Sequence, residues 1–195
     1  GVDYFWPIPF TPRLLSMAPE EFINRYLQSS VKTQYLVCGF DFTFGFKGQG
    51  TSEYLKEVGK NVGFEVSVLP PFTIGQEPVS STGIRRFLME GRVEVASSYL
   101  GRPYCIYGEV VSGKGVGRKM NAPTANIRFP PDKLLPQNGV YAVFVKSQGQ
   151  DLRPAVANVG VRPTFNGVDT TVEVHIPEFE GRLYGRGMQV FFMKH

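Results

Sequence analysis

Thr124, Asn126 and Glu173 are the residues whose types and spacing could do chemistry on a phosphate. The segment Pro123-Thr124-Ala125-Asn126-Ile127 follows the loop Gly113-Lys114-Gly115-Val116-Gly117-Arg118. Side chains alternate across a strand, so Thr124 and Asn126 point one way and Ala125 and Ile127 the other. A hydroxyl and a carboxamide on one face are hard oxygen donors of the kind Mg²⁺ accepts. Glycines in the preceding loop allow close approach of a phosphate. Further on, Val172, Val174 and Ile176 form one face of a strand, with Glu173 and His175 on the other. An outward Glu173 is either a solvated carboxylate or a general base in a groove covered by loops. In the second case it must come within about 3 Å of the proton it removes. The glycine loop likewise reads as a hairpin connection or as a phosphate cradle. It matches neither a Walker A loop nor a dinucleotide fingerprint, because no helix follows and the spacing differs.

The elements that must position these residues fall into two groups. Up to about residue 100 helical and extended signals alternate. Phe22, Ile23, Tyr26 and Leu27 have helical spacing behind Pro19, and Tyr35-Leu36-Val37-Cys38 reads as a buried parallel strand. Ser52 is placed to cap a helix carrying Leu55 and Val58, and Phe64, Val66 and Val68 alternate as a strand. Ser81 precedes a helix with Ile84, Phe87 and Leu88 that Gly91 closes, and a further helix carries Val93, Ala96 and Leu100. That alternation predicts an α/β domain.

After Gly101-Arg102-Pro103 strand-like runs follow one another: 104–111, 124–127, 140–146, 155–159, 171–176 and 188–193. Gly, Pro and Asn punctuate them and helical periodicity is lost, which predicts a small antiparallel barrel or sandwich. The expected domains are 1–101 and 102–195. Neither an internal repeat nor a low-complexity segment is present.

Bulk properties set the frame. The chain has 195 residues, 42% of them hydrophobic and 13% aromatic, with a net charge of +4. No apolar run reaches membrane-spanning length and nothing resembles a signal peptide. The mild positive charge suits a small anion at least as well as nucleic acid, and no concentrated Lys/Arg run is present. Cys38 and Cys105 lie in different expected domains and form no C-x-x-C pair, which predicts reduced thiols in a cytoplasmic protein. With His175 and His195 as its two histidines, the chain offers little for a structural zinc site. It starts at Gly1 and stops at His195 directly after a strand-like run, so both ends read as those of a fragment.

Residues 102–195 resemble riboflavin kinase in the form fused to FMN adenylyltransferase in bacterial FAD synthetases. The resemblance rests on the glycine loop, Pro123–Ile127, Asn138-Gly139-Val140-Tyr141-Ala142-Val143, Asn158-Val159-Gly160-Val161-Arg162-Pro163-Thr164-Phe165, Val172–Ile176 and Leu183-Tyr184-Gly185, in that order. It implies a small antiparallel barrel that phosphorylates the ribityl 5′-hydroxyl of riboflavin with Mg²⁺ and ATP. Carried over residue by residue, Thr124 and Asn126 would hold the metal and the ATP phosphates, and Glu173 would take the hydroxyl proton. Gly113, Gly115, Gly117 and Arg118 would fold over the nucleotide. Arg162 reads equally as a loop or anion contact and as a surface arginine. One departure is Asn121-Ala122, where the family has a glycine and a bulky residue; the family also continues into a C-terminal helix.

Residues 1–100 resemble the later part of the FMN adenylyltransferase domain. Gly39-Phe40-Asp41-Phe42-Thr43-Phe44-Gly45 is similar to its flavin-side loop, and Val79-Ser80-Ser81-Thr82-Gly83-Ile84-Arg85 to its Ser-Ser-Thr-x-Ile-Arg segment. The second piece also reads from physics as an anion site, with Ser81 and Thr82 at a helix start and Arg85 one turn on, or as a plain capped helix. The family's His-x-Gly-His-type motif is absent, so FMN adenylylation is expected only of a longer parent protein. Two other readings stand beside the kinase: a flavin- or nucleotide-binding module without catalysis, and a barrel for single-stranded nucleic acid. The expected partners are ATP, riboflavin and FMN, without nucleic acid or membrane.

Overall fold

The structure, a computed structural model, describes residues 2–112, 124–147, 151–164, 167–179 and 181–195, with backbone alone at 162–164 and 167–169. The chain divides into two compact units, one through Thr73 and one from Ile74 onward.

In the first unit, Pro12–Leu15 (α1) starts from Thr11, whose hydroxyl accepts the Leu14 N–H. Pro19–Phe22 (α2) begins with proline at a position where its missing N–H costs nothing. The turns then widen over Ile23–Ser30, so that Val31 N–H bonds Tyr26 O, five residues back. Tyr35–Gly39 (β1) leads to a short hairpin of Thr43–Phe44 (β2) and Gly50–Thr51 (β3). Ser52–Val62 (α3) then returns the chain to Glu65–Leu69 (β4), which pairs parallel to β1 with Tyr35 opposite Glu65 and Gly39 opposite Leu69. Ile23, Phe44, Leu55 and Phe64 are buried together. Gly59 is required there, since a Cβ would stand 2.6 Å from Phe64 O.

Two local readings change. Thr51, not Ser52, caps α3 by accepting the Tyr54 N–H; Ser52 is buried in the first turn and donates to Phe40 O. The run Tyr35–Cys38 is a parallel strand as expected, yet Tyr35 and Val37 are 58% and 54% exposed. Among the described residues the sheet has two strands; one face packs on the unit's core through Leu36 and Cys38, and Tyr35 and Val37 on the other are exposed.

Thr73–Ile74 (β5) pairs with Glu77–Pro78 (β6). Ser81–Met89 (α4) is capped by Ser80, one residue earlier than read, whose hydroxyl accepts the Gly83 N–H. Val93–Leu100 (α5) ends at Gly101, whose φ of 66° is left-handed. Six strands follow: Tyr104–Val111 (β7), Thr124–Arg128 (β8), Gly139–Ser147 (β9), Arg153–Thr164 (β10), Gly167–His175 (β11) and Gly187–Lys194 (β12). They close a barrel in the order β10-β11-β8-β7-β12-β9, every pair antiparallel.

Period-two alternation fills the barrel. Ile106, Val110, Tyr141, Val143, Val145, Ala157, Val159, Val172, Val174, Val190 and Phe192 are all buried. Gly108 lets β7 approach β8, because a Cβ would lie 2.4 Å from Arg128 O. Phe87 and Leu88 of α4 and Val93 and Ala96 of α5 share this core. The expected boundary near Gly101 separates helical from strand-rich sequence, whereas the compact division falls earlier because both helices bury their apolar faces with the barrel strands.

Candidate active site

Burial of Val172, Val174 and Ile176 turns Glu173 and His175 to the outside of the barrel, where both are half-buried. Strand register decides what faces them. Glu173 stands opposite Asn126 of β8 on one side and Asn158 of β10 on the other, and His175 stands opposite Thr124 and Val156. Directly opposed residues share a face with Cβ atoms about 4.5–5.5 Å apart. Thr124 and Asn126 on β8 and Glu173 on β11, distant in sequence, therefore come together as one patch on the outer surface of two adjacent strands.

Asn126 also lines a cleft of about 980 Å³ on the same barrel. One wall is β8 and the middle of β11, with Arg128, Thr170 and Thr171; the other is the connection of residues 129–138. That connection carries almost no regular structure, so its position must come from side chains and isolated backbone bonds. Tyr104 donates its hydroxyl to Leu134 O, Gln137 N–H bonds Leu88 O at the end of α4, and Tyr141 donates to Gln137 O. Phe129, Leu134 and Leu135 pack onto the barrel core. The wall is thus held by hydrogen bonds in its second half and by apolar packing at Phe129, Leu134 and Leu135.

Among the described residues, the cleft lining has two cations, Arg128 and Lys133, and no carboxylate. Arg128 is paired across strands with Glu109, and the Lys133 ammonium lies 4.8 Å from the centre of the Tyr104 ring. Burial pushes the Tyr104 phenol up to about 12, and it raises Tyr141 and the Cys105 thiol as well. These groups stay protonated at neutral pH and act as packing and donor groups.

Among the described residues no cluster of three His, Cys, Asp or Glu is placed to hold a metal ion. Thr124 and Asn126 supply two neutral oxygen donors, with Glu173 opposite Asn126. That donor set fits Mg²⁺, which keeps several waters and binds through few protein oxygens together with substrate phosphates.

The remaining residues singled out in the sequence lie elsewhere. Gly113, Gly115, Gly117 and Arg118, with Asn121 and Ala122, fall outside the described residues, as does the Arg162 side chain. In the first unit Asp41 and Phe42 are exposed in the turn after β1. Phe44 is buried, ringed by Phe22, Phe42 and Tyr54. In the second unit Ser81, Thr82 and Arg85 are exposed on the first turns of α4. Asn158 was not singled out for chemistry. Its alternation with buried Ala157 and Val159 marks it as outward, but its place beside Glu173 depends on register across two strands.

Residues 100–195 match the family model described as riboflavin kinase, and residues 1–83 that described as FAD synthetase. Among curated proteins, the bifunctional riboflavin kinase/FMN adenylyltransferase of Escherichia coli K12 is 36% identical over 194 residues, covering 100% of this chain and 62% of that protein. The proteins of the same description from Pseudomonas fluorescens and Haemophilus influenzae are each 38% identical, covering 98% of this chain and 61% and 62% of theirs. This chain spans about three-fifths of the length of these relatives. Among solved structures, one from Streptococcus pneumoniae described as a macrolide-efflux protein superposes with a TM-score of 0.87 at 34% identity. It covers 95% of this chain and 59% of that one.

Proposed function

We propose that this chain, a member by those matches of the riboflavin kinase/FMN adenylyltransferase family, transfers the γ-phosphoryl group of ATP to the ribityl 5′-hydroxyl of riboflavin, giving FMN and ADP. The observation that carries this reading is the register of two barrel strands, β8 and β11, which sets Glu173 directly opposite Asn126 at the margin of a cation-lined cleft. Glu173 takes the hydroxyl proton while the ribityl oxygen bonds to the γ-phosphorus and the bond from that phosphorus to the ADP oxygen breaks. Thr124 and Asn126 would hold Mg²⁺ and the phosphates. The metal, when bound, neutralises charge on the β- and γ-phosphate oxygens. Most of the remaining acceleration is positioning, for which a site on paired strands is well suited. Gly113, Gly115, Gly117 and Arg118 belong to the ATP side in this reading.

Adenylylation of FMN to FAD belongs to the whole protein, with Asp41, Phe42, Phe44, Ser81, Thr82 and Arg85 on its flavin and phosphate side. A cytoplasmic setting with reduced thiols goes with the same reading. The chain has no helix, among the described residues, long and apolar enough to cross a membrane.

The test is chromatographic detection of FMN and FAD after incubation with riboflavin, ATP and Mg²⁺. FMN as the product supports the kinase. Bound riboflavin without FMN supports the non-catalytic binding module instead. Glu173→Gln is expected to cut FMN formation by roughly 10²–10⁴-fold while riboflavin and ATP still bind. Turnover at the unsubstituted rate would remove Glu173 as the base.

A further inference from the structure

Two glycines far apart in the chain face the same ring. Gly91 follows α4 with a left-handed φ of 74°, and Gly139 opens β9 without a positive φ. A Cβ on Gly91 would stand 2.7 Å from His195 Nδ1 and 2.9 Å from Gln137 Oε1. A Cβ on Gly139 would run into the same imidazole, which supplies all three of its nearest atoms. The imidazole also lies flat on the ring of Tyr141, with centroids 4.6 Å apart and planes 16° apart. His195, directly after β12, is thus seated between two bare stretches of backbone and a buried phenol ring.

The seat is at the root of the cleft wall. Gln137 and Asn138, the two residues before Gly139, line the cleft with Met89 at the end of α4 and Asn126 across from them. Gln137 N–H bonds Leu88 O, and Gln137 O accepts the Tyr141 hydroxyl. Resting on the reading of Asn126 and its cleft as the phosphate side of the ATP site, we infer that His195 is a positioning residue for ATP binding. Its imidazole fills the gap that Gly91 and Gly139 leave and so holds residues 137–139 in the shape that meets the nucleotide.

Glycine has no side chain with which to close that gap, and it loses more freedom on ordering than any other residue. With the ring seated, the wall is ordered on folding. Without it, the same ordering falls on the binding step and is subtracted from affinity. Glu173 is held by strand pairing instead, so the chemical step is untouched. A loss shared by bound substrate and transition state raises KM and leaves kcat alone.

The test is a double-mutant cycle on FMN formation by the full chain. His195→Ala is expected to raise KM for ATP about three- to tenfold, the scale of ordering one or two loose side chains, with kcat and KM for riboflavin within about twofold. Gly139→Ala, whose new Cβ takes the space of the imidazole, should do the same with His195 present. In the His195→Ala background it should add nothing, because the Cβ then meets open space. Amide exchange should quicken at residues 137–139 with the barrel strands still protected. Additive losses, a fall in kcat with KM for ATP unmoved, or lost protection throughout the barrel would each overturn the inference. Failure of the kinase reading shows separately, as no FMN from the unsubstituted chain; amide exchange in the same variants then decides whether the ring holds the wall.

Discussion

Residues from Ile74 onward and residues through Thr73 solve the same problem of covering a sheet in different ways. The barrel strands close on one another, so each has a partner on both sides and every inward residue meets a common core. In the first unit β1 and β4 pair with each other alone among the described residues, and Leu69 joins Tyr35 and Val37 in exposing an apolar side chain. Among the described residues its buried apolar cluster is Ile23, Phe44, Leu55 and Phe64. The contrast teaches that alternation alone does not bury a strand. Closure enforces inside and outside; an open pair leaves the second face to whatever else is supplied.

The largest expected effect is in the barrel. Phe192→Ala removes a fully buried ring that touches Tyr104 and Tyr141 and should cost about 3–5 kcal/mol. Amide hydrogen exchange should show loss of protection around all six strands, as closure requires, and little change through Thr73. Protection lost from β12 alone would break the comparison. Leu55→Ala is the matching cut in the first unit, at about 2–5 kcal/mol. Its expected signature is earlier proteolysis within residues 2–73 with the barrel amides still protected. Simultaneous loss everywhere would mean that the two units unfold as one.

The smallest effect sharpens the wall of the cleft. Tyr104 has its phenol raised to about 12 when folded, against an ordinary value of about 10. The folded form therefore holds its proton over a range where the unfolded chain has lost it. The resulting stability is complete below pH 10 and lost as pH rises toward 12. The group is partly exposed, so about 1 kcal/mol is the scale after solvent screening. Tyr104→Phe should be less stable at pH 7 by about 1 kcal/mol, through the lost bond to Leu134 O, with the gap narrowing between pH 10 and 12 in denaturant titrations. A constant gap across that range would place the raised phenol elsewhere.

How much of this could be read in the sequence follows from the range of each interaction. The six strands were legible, because a period of two is written locally, as in Val172-Glu173-Val174. So was the outward turn of Glu173. Ring order was not, since β8 sits between β7 and β11 and β12 between β7 and β9, pairings that no neighbouring residues encode. Asn158 was out of reach for the same reason. Both helix caps were misplaced by one residue, where Thr51-Ser52 and Ser80-Ser81 offer tandem hydroxyls and the backbone selects the first. The apolar faces of α4 and α5 were visible, but not which core would receive them.

A one-residue slip of β11 would carry Glu173 and His175 into the barrel and Val172 and Val174 out of it. In an open sheet such a slip disturbs the two neighbouring ladders. In a ring of six the stagger of the whole ring is set, so a shift in one strand has to be matched by the rest. Closure thus acts as a parity check on the text of the chain: an extra residue inside a strand has to be absorbed on the spot, as at the end of β12, where the register with β9 shifts by one between Phe192 and Lys194. Elsewhere length is free to vary in the connections, where each new strand can set afresh which of its residues face outward.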